Sequence, residues 1–573
     1  VYADLDNDGD LELVVNNINQ HAHVYENLSN TKSEHNYLRL LLKGPPKNRQ
    51  GLGARIYLYQ TNRTQVWEHF LSRGYESSVD PNPHFGLGTL PIDSLIVHWP
   101  DGKAQTIKNI TPNQLLEVSY QQATLDGAKY RNDPPNTLFQ FPESQPISYV
   151  HKENKQVDFK TQPILPHMHA QLGPGAAVAD MNLDTRDDLY LGGARGQPGT
   201  LFIQQQDSTF ISKVFQQDSL YEDMGALFFD VEGDGDQDLY VVSGGTSHPD
   251  GSQYYRDRLY INDGQGNLDR YQTVLPESIS GSCVVGGDFD RDGDLDLFIG
   301  GRVIPGSYPL APKSTLLRND TPKNGAPKFT DITESIMGMT DLGMVTAALW
   351  TDFNDDTWLD LIIVGEFMPI KMFVNHQGTL DLTQPAGIEH SEGWWNSITG
   401  GDFDQDGDTD YLIGNLGLNT KYQASKEEPL CIYASDYDKN GRIDPVLCYY
   451  LDGKNYIAHT RDEIIRQISA MRARFRTYEE YAEVEFDQSF LPSELEAAYV
   501  VHATRFESSY LRNEGDGSFI LLELPIEAQI APVYGMITGD FDGNGTLDAL
   551  LTGNSYSTEV STGRYDASFG LVL

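Results

Sequence analysis

The sequence predicts a mainly β chain built from repeated short-strand units, and three observations carry that expectation. Strand formers are abundant: 31 Tyr and 24 Phe stand among many short Val/Ile/Leu runs. Glycine, at 53 residues, punctuates those runs. Nine-residue acidic windows of one pattern recur, each set between two apolar runs. With 573 residues and 39% hydrophobic content, the chain has room for several domains with real cores.

The windows begin with Asp4-Leu-Asp6-Asn-Asp8-Gly9-Asp10-Leu-Glu12 and Asp180-Met-Asn182-Leu-Asp184-Thr185-Arg-Asp-Asp188. Next come Asp230-Val-Glu232-Gly-Asp234-Gly235-Asp236-Gln-Asp238 and Asp288-Phe-Asp290-Arg-Asp292-Gly293-Asp294-Leu-Asp296. Asp352-Phe-Asn354-Asp-Asp356-Thr357-Trp-Leu-Asp360 and Asp402-Phe-Asp404-Gln-Asp406-Gly407-Asp408-Thr-Asp410 follow. The last two are Asp436-Tyr-Asp438-Lys-Asn440-Gly441-Arg-Ile-Asp444 and Asp540-Phe-Asp542-Gly-Asn544-Gly545-Thr-Leu-Asp548. The shared pattern is DxDxDGxxD.

Carboxylates this close repel one another, so a counter-cation is expected among them. Ca²⁺ is a hard ion that takes six to eight oxygens in flexible geometry. Short acids at positions 1, 3 and 5 converge if the backbone curls tightly, and Gly at position 6 permits the turn. A position 7 carbonyl and the position 9 acid complete the set. Zinc or copper would call for His or Cys, and neither occurs in the loops. An EF-hand would need Glu at position 12 and flanking helices. Position 12 is instead apolar, from Val15 and Leu191 to Ile413 and Leu551, inside β-type runs. The loops headed by Asp4, Asp288 and Asp402 are the fullest. Thr185, Thr357, Asn440 and Asn544 predict weaker sites, in the range of about 10⁻⁴–10⁻³ M.

The formal charge of −42 argues against nucleic acid and anionic lipid as partners. No apolar run approaches the ~20 residues of a membrane span. Of three cysteines, Cys431 and Cys448 flank one acidic loop and could face each other across a hairpin, bonded or free. The chain opens at Val1 inside a repeat and reads as a fragment, silent about a leader or anchor.

These loops resemble the FG-GAP/VCBS-type repeats of integrin α-chain propellers and many bacterial surface proteins. The resemblance implies a β-propeller of about seven four-stranded blades, with Ca²⁺ in the loop between the first two strands of each. Residues 1–34 would be the last blade of an upstream propeller. Residues 36–121 carry Gly51-Leu-Gly-Ala54, His84-Phe-Gly-Leu-Gly88 and Trp99-Pro-Asp-Gly102. They resemble the ASPIC/UnbV domain of cartilage acidic protein-like and bacterial secreted proteins, expected here as a small β-sandwich-like unit. Residues 122–170 bridge into a propeller over 171–573. The close starts at 402 and 436 place the Asp436 loop on a later hairpin of the Asp402 blade. A helical insertion is expected at about 458–498, with Ile464, Ile465, Ile468, Met471 and Phe475 at helical spacing and arginines 461, 466, 472, 474 and 476 pairing with nearby acids.

No HExxH, Walker-type loop or GxSxG elbow is present. His167-Met-His169 reads first as a loop feature and second as a ligand pair. His84 reads as packing or a backbone bond, and Trp394 and Trp395 as core before sugar platform. The expected function is non-catalytic, extracytoplasmic and Ca²⁺-stabilised, binding a protein or glycan ligand. The alternative is an enzyme or accessory protein of polysaccharide use with a site at the propeller mouth.

Overall fold

The computed structural model describes residues 1–6, 8–29, 35–74, 76–126, 138–139, 146–272 and 278–573. They divide into two units, 1–140 and 141–573. The division falls within the 122–170 bridge, of which 127–137 and 140–145 lie outside the described residues.

In the first unit, Tyr2–Ala3, Glu12–Val15 and His23–Tyr25 form an antiparallel sheet that carries the first acidic loop. Two further sheets share one core. Asn36–Lys43 lies between Gln114–Ser119, parallel to it, and His84–Gly88, antiparallel. The other sheet runs Leu125–Asp126, Lys103–Ile107, Ser94–His98, Arg55–Gln60, Arg63–Glu68. Leu38, Leu40 and Leu42 alternate inward and meet Ile56, Leu58, Leu95 and Val97. Period-two burial of this kind marks sheets packed on one face, and the unit is β-sandwich-like as expected. His84 donates from Nε2 to the Gly9 carbonyl (2.9 Å) and stacks on Tyr37. It makes a backbone bond, the role the sequence favours.

Among the described residues, the second unit is a propeller series of six sheets. The first contains Ala176–Ala179, Asp188–Leu191, Thr200–Gln204 and Phe210–Val214, the second Asp223–Phe229, Asp238–Ser243, Arg258–Asn262 and Leu268–Arg270. The third contains Gly281–Gly287, Asp296–Gly301, Thr315–Asn319 and Phe329–Asp331, the fourth Met344–Thr351, Asp360–Met368, Lys371–Asn375 and Leu380–Thr383. The fifth contains Ser397–Gly401, Asp410–Gly414, Ser509–Asn513 and Phe519–Glu523, the sixth Gly535–Gly539, Asp548–Thr552 and Leu571–Val572. Each first strand touches the first strand of the next sheet. At Gly175 the approach is so close that a Cβ would sit 2.8 Å from the Gly225 carbonyl carbon. The second strands of the second to fifth sheets are buried along their length, because both faces are covered. Phe229, Tyr240 and Leu259 of one sheet pack with Val284, Leu297 and Leu317 of the next.

One device repeats between sheets. An Asn ends the third strand, its N–H donates to the position 9 carboxylate of its own sheet, and its side chain donates to the position 2 carbonyl of the preceding sheet. Asn262 reaches Met181 (2.8 Å), Asn319 reaches Val231 (3.1 Å), Asn375 reaches Phe289 (2.7 Å) and Asn513 reaches Phe353 (2.9 Å). Asn375 is fully buried and also donates to the Leu359 carbonyl. Asn375→Ala orphans one buried and one part-buried carbonyl, and urea unfolding should show a loss of about 1–3 kcal/mol. A loss below ~0.5 kcal/mol would mean that water replaces the bonds.

The Asp436 loop departs from expectation. It joins Leu430–Ser435 to Asp444–Leu451 in a separate four-stranded sheet, completed by Lys454–Ile457 and Tyr499–Ala503. This sheet is inserted between the second and third strands of the fifth sheet, so the loop decorates no hairpin of the Asp402 blade. Spacing alone could not distinguish a long hairpin from an inserted sheet. The helical insertion is five short helices, Arg461–Gln467, Met471–Arg474, Tyr478–Glu483, Phe486–Ser489 and Pro492–Glu496. The expected continuous helix breaks at Ile468, which leaves helical dihedrals at the first helix's end. Ile464, Ile468, Met471 and Phe475 are nevertheless buried together. Arg474 pairs with Glu494 (2.7 Å). Cys431 and Cys448 are cross-strand partners joined by a disulfide, with Cα atoms 5.1 Å apart.

Candidate functional site

The acidic loops share one backbone solution. In the loops headed by Asp180, Asp230, Asp288, Asp352, Asp402, Asp436 and Asp540, the position 1 carboxylate accepts from the N–H groups of positions 5 and 6. Position 6 is left-handed everywhere: φ is +101° at Gly293 and Gly407, and Thr185 and Thr357 are held at +67° and +73°. Those two threonines adopt a conformation that a β-branched residue resists, the strain the sequence implied. A second left-handed residue at position 4, such as Arg291 or Lys439, has no glycine to betray it.

Position 9 is the innermost group. Asp188, Asp238, Asp296, Asp360, Asp410 and Asp444 are all fully buried. One carboxylate oxygen accepts from the position 2 N–H, as Asp296 does from Phe289 (3.3 Å). The other accepts from the third strand, as from Asn319 (2.8 Å), except at Asp444, where it accepts from the Gln467 amide (2.6 Å). Each oxygen keeps a second lone pair, so the residue can pin the strands and face an ion together.

Side chains of positions 1, 3 and 9 converge in two of the loops. Donor oxygens of Asp288, Asp290 and Asp296 lie within 4.8 Å of one another, as do those of Asp402, Asp404 and Asp410. The first loop offers two such groups, Asp4, Asp6 and Asp8, and Asp8, Asp10 and Glu12. At position 3, Asn182, Glu232, Asp290 and Asp438 each have a buried oxygen with no hydrogen-bond donor, as do Asp236 and Asp294 at position 7. Burial first, and neighbouring acids second, push Asp294 up to about 7, Asp236 to about 6 and Glu232 to about 8. Buried, donorless oxygens are costly, and a hard divalent cation is the partner that suits an all-oxygen set. The residues fit Ca²⁺.

Among the described residues, two loops carry their own cation. Arg39 pairs with Asp4 (2.6 Å) and Asp80 (2.7 Å), and Arg186 pairs with Asp184. The Asp4 loop, among the fullest by composition, therefore has one of its acids already neutralised by a strand 35 residues on.

A second candidate lies where the first strands of the propeller converge. A cavity of about 580 Å³ is lined by Met224, Ser282, Arg302, Thr346, Asn396 and Tyr534, among others. The Asn396 amide nitrogen is buried beside it without an acceptor. Trp394 and Trp395 are buried, at 5% and 0% exposure, and form core rather than a sugar platform. No described helix is long and apolar enough to cross a membrane.

Residues 44–125 match the ASPIC and UnbV family, and residues 230–299 and 352–413 match the FG-GAP-like repeat family. Over 145 residues the chain is 31% identical to cartilage acidic protein 1 of Mus musculus, covering 24% of this chain and 21% of that protein. The Homo sapiens protein of the same name is 31% identical over 130 residues, 21% of this chain and 19% of the relative. The chain thus spans about a fifth of the length of these curated relatives. Among solved structures, a lectin of Agrocybe aegerita that recognises non-reducing terminal N-acetylglucosamine aligns over 74% of this chain and 92% of its own, at 12% identity and a TM-score of 0.29. A Bacillus licheniformis rhamnogalacturonan lyase aligns over 96% and 88%, at 10% identity and a TM-score of 0.29. Likeness at these scores bears on neither ligand nor reaction.

Proposed function

We propose that this chain, an FG-GAP-repeat protein with an ASPIC/UnbV segment, is a non-catalytic extracytoplasmic binding protein whose acidic loops hold structural Ca²⁺. The observation that carries the reading is the set of buried, donorless oxygens at positions 3 and 7, gathered with the position 9 acids. Asp288, Asp290, Asp292, Asp294 and Asp296, with their counterparts in the other loops, would hold the ion. When bound, Ca²⁺ supplies charge neutralisation and a fixed turn. The chain's own residues do the rest: position 1 curls the loop, and position 9 ties it to the third strand.

Extracytoplasmic placement rests on two supports. Weak sites fill constitutively only where calcium is millimolar. A disulfide such as Cys431–Cys448 persists where the surroundings are oxidising.

The ligand, a glycan or a protein, is assigned to the central cavity, whose wall is polar and offers the Asn396 amide. A glycan and protein panel, screened in millimolar Ca²⁺, tests this. Saturable binding without turnover, lost in Tyr534→Ala while the melting temperature holds, is the expected result. Binding that Tyr534→Ala leaves intact would move the site elsewhere, and hydrolysis of any glycan would overturn the non-catalytic reading.

A further inference from the structure

Outside the acidic loops, one buried cluster has the wrong chemistry for calcium. His167 and His169 precede the first propeller sheet, and Glu366 lies in the second strand of the fourth. All three are buried, and one donor atom from each lies within 4.8 Å of the others. His167 Nε2 is 3.1 Å from both Glu366 oxygens, and its Nδ1 is 3.1 Å from the Met168 carbonyl. Glu366 also accepts from Tyr308 (2.7 Å) and pairs with Arg302.

Two features of the cluster bear on what it holds, and the second has no partner within the protein. A carbonyl only accepts, so Nδ1 of His167 must carry a proton to bond Met168. Its Nε2 then meets two carboxylate oxygens either as a second N–H, making an imidazolium beside the Arg302 cation, or as a lone pair facing lone pairs. His169 is the sharper case. It is 1% exposed, and neither ring nitrogen has a hydrogen-bond partner. Its ring sits against His167, with centroids 4.3 Å apart. An imidazole with both nitrogens buried and unpartnered forfeits its hydrogen bonds to water for nothing.

A cation between the three side chains resolves both features, and we infer that His167, His169 and Glu366 form a site for one divalent transition-metal ion of the zinc type. Two imidazoles and a carboxylate are a zinc donor set, whereas calcium takes oxygens alone. Donors about 2.0–2.1 Å from one tetrahedral ion stand roughly 3.3 Å apart, close to the His167–Glu366 separation of 3.1 Å. The Met168 carbonyl on Nδ1 is the outer partner that fixes a ligating imidazole's tautomer. Beside His169 lies a cavity of about 40 Å³, lined also by Asp158, Thr246 and Tyr308. That is room for a water beside His169. The ion fastens the segment before the first sheet to the fourth sheet, and through Glu366 it is joined to Arg302 on the wall of the central cavity.

The test uses the full chain, purified without a histidine tag in millimolar Ca²⁺ so that the acidic loops are filled. Zinc content is measured by mass spectrometry. The protein is then stripped with dipicolinate and titrated with Co²⁺. About one ion per chain and visible d–d absorption are expected. His169→Ala should lose the absorption and bind Co²⁺ at least about a hundredfold more weakly, with its calcium-dependent melting intact. Should that variant not fold, His169→Gln replaces it, and the wild-type spectrum decides alone. Folded wild type that takes up no Co²⁺ overturns the site in favour of a His167 imidazolium. Equal Co²⁺ binding by wild type and His169→Ala overturns it too, because the ligands then lie elsewhere.

Discussion

Removal of calcium with EGTA is expected to lower the melting temperature of the chain by on the order of 10 °C. An ion that binds only the folded state at a hundredfold excess over its dissociation constant stabilises by about 2.7 kcal/mol per site. Several sites in one propeller add in proportion, and unfolding entropy of about 2.1 cal/mol/K per residue converts the sum into a shift of that size. The loops will not contribute equally. In the Asp288 loop, Asp290 and Asp294 have buried oxygens without donors and Gly293 turns freely. In the Asp180 loop, Arg186 already occupies Asp184, and Thr185 is held at a positive φ. Asp292→Ala should therefore remove more of the calcium-dependent shift than Asp184→Ala. Scanning calorimetry with and without chelator reads both, and equal losses would show that the internal arginine does not substitute for the ion.

The second large effect lies at the joint between the first two propeller sheets. Arg258 is 1% exposed and pairs with Asp223, which is 2% exposed. Asp223 also accepts from the Tyr190 hydroxyl (2.9 Å) and the Gly193 N–H (2.7 Å) of the neighbouring sheet. The guanidinium lies 4.2 Å over the Tyr221 ring. Arg258→Met leaves a buried carboxylate with no cation, and a broken buried pair costs about 3–5 kcal/mol. Adding Asp223→Asn removes the stranded charge while keeping an acceptor for Tyr190 and Gly193. Denaturant unfolding should find the double variant more stable than Arg258→Met alone. If the second change only adds to the loss, lost packing rather than stranded charge is the cause.

What could be read from the sequence was local. The acidic loops, their strand–turn–strand setting and the left-handed position 6 follow from residues at most nine apart, so the pattern carries its own geometry. The ASPIC/UnbV segment was legible for the same reason: its markers Gly51-Leu-Gly-Ala54, His84-Phe-Gly-Leu-Gly88 and Trp99-Pro-Asp-Gly102 are each a short local run. Relations across sheets were not. Asn262, Asn319, Asn375 and Asn513 recur after short strands, yet the carbonyls they reach lie 81 to 160 residues away. Glu366 sits inside the apolar run Leu361–Met368, 199 residues from His167. The His-Met-His motif was visible while its third member was not. Arg39 likewise neutralises Asp4 only because folding brings a strand of the next segment onto the loop.

The claim on which the account rests is that the acidic loops are built to enclose a hard divalent ion. A high-resolution crystal structure grown in millimolar calcium measures this directly. The predicted result is density for an ion in the Asp288 and Asp402 loops, with oxygens of positions 1, 3, 5, 7 and 9 about 2.3–2.6 Å away. Water alone in those loops, with the carboxylates turned out to solvent, would contradict it.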